Sequence, residues 1–237
     1  MTATIDMSRA RIRIKVCGIT RTADALAAVA AGVDALGFIF FEKSPRYISP
    51  EAARLIIEQL PPFVDAVGVF VDKKNDEVDE IIQYCRLGYV QLHGAESPKY
   101  CEHLVRFASP CQVIKAFRVG GHTSGDEFAV YAPHVKGFLL DTFRPDQVGG
   151  TGTSFDWSIV ADLNLRKPFI LAGGLDASNI AAAIEAVRPY GVDVNSGVER
   201  QPGIKDHRLI REFVSAVRDF DVNRPGHPIF TRSLPPA

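Results

Sequence analysis

Four side chains able to move a proton or hold an anion stand at the ends of apolar runs or in the loops that follow them. Cys17 closes the run in RIRIKVCGIT, His93 sits in GYVQLHG, Asp141 sits in VKGFLLDT, and Arg46 follows Pro45 in the polar loop EKSPRY. Cys17 is open to two readings, a thiol buried as a small hydrophobe or a reactive one. It shares a strand face with Arg13 and Lys15, and such cations, with nearby backbone N–H groups, are expected to lower its pKa toward working pH. Asp141 is either a hydrogen-bonded structural carboxyl or a site acid whose apolar surroundings raise its pKa. A base and an acid on opposite sides of a substrate suit a proton-shifting isomerisation. His93 reads equally as a third acid/base group, a substrate donor or a rim residue bonded to backbone. Arg46 reads as a solvated charge or as a bidentate carboxylate contact.

Two glycine-containing segments have the character of an anion site. AGGLDASN carries Gly173 and Gly174 ahead of a helix start with Ser178 as its cap, and VNSGVE carries Asn195, Ser196 and Gly197. Backbone N–H groups exposed at such turns bind phosphate. Taken alone, a glycine pair is also a plain tight turn. A third segment, GGTGT (Gly149 to Thr153), lacks the Lys-Ser/Thr ending of a Walker loop and does not fit GxGxxG. It is expected to be a mobile loop that closes over the site.

The elements that must position these groups follow from the hydrophobic periodicity. Ile12, Ile14 and Val16 alternate with Arg13, Lys15 and Cys17, a strand period, and RTADALAAVAAG then reads as a helix after a Thr20 cap. The same order recurs: strands at Asp34–Phe41, Asp65–Val71, Gly88–Gly94, Cys111–Val119, Val135–Thr142, Lys167–Gly174 and Gly191–Gly197, each followed by a helical pattern. Eight strand-then-helix units predict an α/β fold, a single-domain (β/α)8 TIM barrel, with an open doubly wound sheet as the alternative. The barrel spans about residues 11–220 of one domain covering 1–237, with a short N-terminal tail and a Pro-rich C-terminal tail from Asp221. In a barrel the C-terminal strand ends carry function, which is where Cys17, His93 and Asp141 fall. The two glycine segments follow strands seven and eight, the usual phosphate position.

Bulk composition narrows the partners. Lys plus Arg number 27 against 28 Asp plus Glu, a net charge of -1 with no long run of either sign, so no nucleic-acid footprint is present. The apolar runs are too short for a membrane span. Cys17, Cys85, Cys101 and Cys111 form no CxxC pair and no zinc-type cluster with His, which predicts reduced thiols, no metal and a cytoplasmic location. Cys85, Cys101 and Cys111 are read as structural. No apolar leader opens the chain.

With these residues assembled, the chain resembles the phosphoribosylanthranilate isomerase family. The matching stretches are KVCGIT, GFIFFEKSPRYISP, VGVFV, VQLHGAE, LLDT with GGTGTSFDW, ILAGGL and VDVNSGVERQPGIKD, over about residues 12–220. The resemblance implies a cofactor-independent Amadori rearrangement of N-(5-phosphoribosyl)anthranilate in tryptophan biosynthesis. It implies Cys17 as general base at ribose C2 and Asp141 as general acid at the ring oxygen. It also implies Arg46 as holder of the anthranilate carboxylate, Gly173, Gly174, Ser196 and Gly197 at the phosphate, and Asp193 and His93 near the sugar and rim. Asn195 stands where many relatives have serine, which leaves backbone phosphate contacts available. The partner is a small phosphorylated substrate, and the protein is expected to be a monomer or homodimer. A histidine-pathway type of phosphosugar isomerase expects an acid on strand one where this chain has Cys17. A non-catalytic phosphate-binding barrel expects function to survive loss of Cys17 and Asp141.

Overall fold

The computed structural model describes residues 5–6, 11–107, 110–120, 123–142, 157–161, 163, 165, 167–223 and 231–232. Eight strands pair in parallel and in chain order: β1 (Arg13–Val16), β2 (Ala35–Ile39), β3 (Asp65–Phe70), β4 (Tyr89–Leu92), β5 (Gln112–Arg118), β6 (Gly137–Asp141), β7 (Phe169–Ala172) and β8 (Gly191–Val194). β8 then pairs with β1, so the sheet closes into the barrel and the open-sheet alternative falls. Between and after the strands run α1 (Thr22–Ala31), α2 (Pro50–Ile57), α3 (Asn75–Cys85), α4 (Pro98–Phe107), α5 (Gly125–Ala129), α6 (Ser158–Ala161), α7 (Ile180–Val187) and α8 (His207–Asn223). No helix among the described residues is long and apolar enough to cross a membrane.

The period-two pattern does the sorting. Ile12, Ile14 and Val16 are fully buried against the surrounding helices, which places Lys15 and Cys17 on the barrel interior. Inside, one wall is apolar, formed by Ile114, Ala116, Leu139 and Ala172 with Tyr89 and Ile170 packed against it. The rest of the interior is mixed: the polar Lys15, Gln91 and Asp193 are buried there together with Val67 and Val69 of β3. Helix starts follow local chemistry. Ser49 accepts the Ala52 N–H ahead of Pro50, and Ser124 forms a capping box with Glu127.

Several boundaries differ from the sequence reading. Arg21, not Thr20, occupies the N-cap of α1, because the Thr20 hydroxyl donates to the Gly203 carbonyl at 2.5 Å. Ser178 does not cap α7: its hydroxyl and amide both donate to Asp176. α8 continues through Asp221 to Asn223, where a tail was expected, because the Asp221 carboxylate accepts the Ile12 N–H at 3.0 Å and pairs with Arg218. A short antiparallel ladder joins Ile5–Asp6 to Thr231–Arg232. An antiparallel hairpin of β9 (Glu199–Gln201) and β10 (Ile204–Lys205), not foreseen, follows β8. The proposed closing loop at 149–153 lies outside the described residues.

At the other end of the barrel Asp34 gathers β1, β2 and α8. It accepts the Ile14 N–H at 2.9 Å and pairs with Arg11, Arg13 and Arg218. Burial opposes its ionisation, but the Ile14 N–H and the Arg13 and Arg11 guanidinium groups outweigh that, so its pKa lies below the ordinary 3.8. A depressed carboxyl pKa stabilises the fold above the unfolded value, and the contribution is lost as pH falls through the folded value. Asp34→Asn is expected to lower stability at neutral pH by about 1–3 kcal/mol and to reduce the loss of stability on acidification below about pH 4. Urea unfolding of both proteins across that range checks it.

Candidate functional site

The barrel closes where Lys15 registers with Asp193 and the Cys17 amide donates to the Val194 carbonyl at 2.9 Å. Across this seam Lys15 Nζ donates to Asp193 Oδ2 at 2.8 Å, both side chains being almost wholly buried. The second carboxylate oxygen, Asp193 Oδ1, is buried with no hydrogen-bond partner among the described residues. Cys17 stands one step above Lys15 on the same face, 5% exposed. Gly37 on β2 makes this crowding feasible: a Cβ there would stand 2.7 Å from Cys17 Sγ and 3.1 Å from Lys15 Cε.

The charge balance corrects one expectation. Burial pushes the Cys17 thiol above its ordinary 9.0 rather than below it; Lys15 and Lys205 pull down, Asp193 pushes up, and burial prevails. Burial likewise opposes the charge on Lys15, but Asp193 and Cys17 outweigh it and Lys15 is held protonated. A thiol and a committed cation thus share one dry wall. The other three cysteines fit their structural reading: burial pushes Cys85 and Cys101 up to about 11 and Cys111 up to about 12.

Three strands away from β1, through β8 and β7, Asp141 ends β6. Its Oδ2 lies 3.4 Å from His93 Nε2. Gln91 Nε2 is 3.1 Å from His93 Nδ1, so with the amide as donor the imidazole carries its proton on the nitrogen facing Asp141. His93 is therefore an oriented ring in a chain from Gln91 to Asp141. Among the described residues, no hydrogen bond joins its ring to backbone.

Arg46 is not a solvated charge. Its Nε lies 3.0 Å from both Glu199 oxygens and its Nη2 2.7 Å from Oε2. Lys205 Nζ meets the same carboxylate at 2.9 Å and also donates to Asn195 Oδ1 at 2.9 Å and Asn195 O at 3.2 Å. Asn195, the departure from serine, therefore spends its side-chain oxygen on Lys205.

The glycine segments lie beside each other. Gly173 and Gly174 take φ of +95° and +63°, two consecutive left-handed residues that turn the chain after β7. Ser196 and Gly197 lie in a single 3-10 turn, Ser196–Val198, after β8. A Cβ on Gly197 would collide with the Leu175 carbonyl oxygen, so the two turns touch there. Sequence reasoning singled out Cys17, Arg46, His93, Asp141, Asp193 and the glycines, and all sit at or next to C-terminal strand ends. It missed Gln91, Gly37, Glu199 and Lys205. The last two were visible only inside the stretch NSGVERQPGIKD, and neither carries a signal of its partner.

A family model described as N-(5'phosphoribosyl)anthranilate (PRA) isomerase matches residues 14–216. The chain is similar to the N-(5'-phosphoribosyl)anthranilate isomerase of Trichlorobacter lovleyi, 49% identical over 209 residues, 88% of this chain and 98% of that protein. Among solved structures it resembles monomers generated from the dimeric phosphoribosylanthranilate isomerase of Thermotoga maritima. They share 39% identity and a TM-score of 0.75, over 87% of this chain and 98% of that one. It also resembles a phosphoribosyl anthranilate isomerase in complex with reduced 1-(o-carboxyphenylamino)-1-deoxyribulose 5-phosphate. There the identity is 40% and the TM-score 0.73, over 88% of this chain and 99% of that one.

The geometry fixes a pH dependence for the thiol. Alkylation of Cys17 by iodoacetamide, followed by mass spectrometry of its peptide, is expected to rise with a midpoint above 9.0. Lys15→Met removes a cation that favours the thiolate, so its midpoint should lie higher still. A midpoint near neutrality in the unaltered protein would contradict this balance.

Proposed function

As the chain belongs to the N-(5'-phosphoribosyl)anthranilate isomerase family, we propose how its residues divide an Amadori rearrangement. The substrate is N-(5-phosphoribosyl)anthranilate, the product is 1-(2-carboxyphenylamino)-1-deoxyribulose 5-phosphate, and the step belongs to tryptophan biosynthesis. The observation that carries the reading is the pairing of two walls: Cys17 beside the buried Lys15–Asp193 pair on one side, Asp141 beside His93 on the other. Asp141 gives its proton to the ribose ring oxygen as the furanose opens. The iminium so formed acidifies the C2 hydrogen, and Cys17 takes it as the thiolate. The C2–H electrons form the C1=C2 bond of an enolamine and neutralise the iminium, and the enolamine then gains a proton at C1 and loses one from the C2 hydroxyl to give the ketone. Lys15 opposes the cost of forming a thiolate in a dry site. Asp193 Oδ1 is an acceptor suited to a ribose hydroxyl.

The ends of the substrate are held by fixed groups. The turns at Gly173–Gly174 and Ser196–Gly197 suit the phosphate, and Arg46 suits the anthranilate carboxylate. No step in this scheme requires a metal or organic cofactor. A near-zero net charge supports a small-molecule partner rather than nucleic acid, and four unpaired thiols support a cytoplasmic location.

We also propose a homodimer, the state named for the Thermotoga maritima relative. Its support is Phe63: the side chain is 99% exposed, directly after Pro61 and Pro62, with φ at +70°. Holding an aromatic residue outward in a left-handed backbone costs free energy that a partner surface can offset. Phe63→Ser is expected to shift the protein to monomers in light scattering, and an unchanged mass would count against this surface.

Turnover of freshly made phosphoribosylanthranilate tests the acid/base assignment. Cys17→Ser and Asp141→Asn are each expected to lower kcat by about 10²–10⁴-fold. Near-normal turnover in either would remove that residue from the proton chemistry.

A further inference from the structure

We propose that Glu199 and Lys205 are positioning residues for this reaction: Glu199 aims the Arg46 guanidinium at the aromatic carboxylate, and Lys205 fixes Glu199 to the phosphate-side turn. This rests on the reading of Arg46 as the carboxylate holder.

Arg46 comes from the loop after β2, and a long side chain on a loop loses affinity through the many rotamers it must give up on binding. Here that loss is met before the substrate arrives. Glu199 takes the Nε–Nη2 edge of the guanidinium with both oxygens, at 2.7–3.0 Å. A guanidinium is planar, so fixing one edge fixes the direction of the other.

Glu199 is itself held. Its side chain is 4% exposed, and it receives Lys205 Nζ at 2.9 Å and the Gly203 N–H at 3.1 Å. The Lys205 side chain is fully buried and bonded to both oxygens of Asn195, directly ahead of Ser196. The hairpin carrying it is tied down by the Lys205 N–H on Asp24 at 3.1 Å and by Thr20 on Gly203. The loop after β2 and the hairpin after β8 thus meet at one carboxylate. Their closeness is visible at Gly18, where a Cβ would stand 2.8 Å from Asn195 Oδ1 and 2.9 Å from Arg46 Cδ.

The charges make the arrangement directional. One carboxylate between two cations leaves a positive end that suits an anionic substrate. Burial opposes ionisation of Glu199, but Arg46 and Lys205 outweigh it and keep the carboxyl below its ordinary 4.5. If Glu199 becomes glutamine, the two cations face each other without an anion. Lys205, wholly enclosed, stays; Arg46, whose side chain is 20% exposed, swings outward.

The test is steady-state kinetics with phosphoribosylanthranilate, together with competitive inhibition by inorganic phosphate, on wild type, Arg46→Ala, Glu199→Gln and Glu199→Asp. Glu199→Gln is expected to raise KM about tenfold or more, with kcat within about threefold and phosphate inhibition within about twofold of wild type. Glu199→Asp, which keeps the charge, should recover part of the loss. An unchanged KM in Glu199→Gln beside a raised KM in Arg46→Ala overturns the inference and leaves the reading of Arg46 standing. An unchanged KM in Arg46→Ala overturns that reading itself. Parallel loss of KM, kcat and phosphate inhibition in Glu199→Gln marks a general collapse of the site and also overturns the positioning role.

Discussion

The seam between β8 and β1 is the constraint on which the site depends. A closed barrel must bring its last strand against its first in one register, and here that register sets Lys15 opposite Asp193. A one-residue slip would turn one of the two side chains to the helix layer, separating the pair and leaving each charge without its partner. The buried pair thus marks the register at which the barrel closes. It also sets the electrostatics beside Cys17, because the same ammonium that meets Asp193 lies next to the thiol. In the proposed scheme, fold closure and proton chemistry share one pair of side chains.

Removal of water has opposed effects on this wall. Burial raises the thiol pKa, which keeps Cys17 protonated and unreactive in the resting site. The same dryness strengthens the attraction between a thiolate and Lys15 once the thiolate forms. In the proposed scheme the thiol proton must leave to solvent before Cys17 can act as base; the positive iminium at C1 favours the resulting thiolate and makes the C2 hydrogen acidic. A thiol that ionises readily on its own would be more exposed to oxidation. On the other wall, Gln91 orients His93 and His93 faces Asp141, a contact that spans from the end of β4 to the end of β6 with β5 between them.

How much of this is legible in the sequence depends on the range of the interaction. The alternation of Ile12, Ile14 and Val16 with polar neighbours is local, and it correctly places Cys17 inside at a strand end. Eight repeats of strand and helix give the barrel, and Pro50 after Ser49 gives a helix start. Glu199 and Lys205 are different. They lie in a short hairpin after β8, and their meaning comes from Arg46, 153 residues earlier in the chain. No periodicity encodes that contact. The direction of the Cys17 shift is hidden for a related reason: sequence shows the cations on the strand face but not the degree of burial, and burial prevails. Thr20 fits a cap by local pattern alone, but its hydroxyl goes to Gly203, a partner 183 residues away.

The central claim is that ring opening and C2 deprotonation belong to different residues on different walls. The most direct measurement is the deuterium isotope effect on kcat with substrate deuterated at ribose C2, compared among wild type, Cys17→Ser and Asp141→Asn. Slowing the thiol's step should enlarge the effect in Cys17→Ser, and slowing ring opening should suppress it in Asp141→Asn. An effect that is enlarged in Asp141→Asn, or suppressed in Cys17→Ser, would contradict this division of the proton transfers.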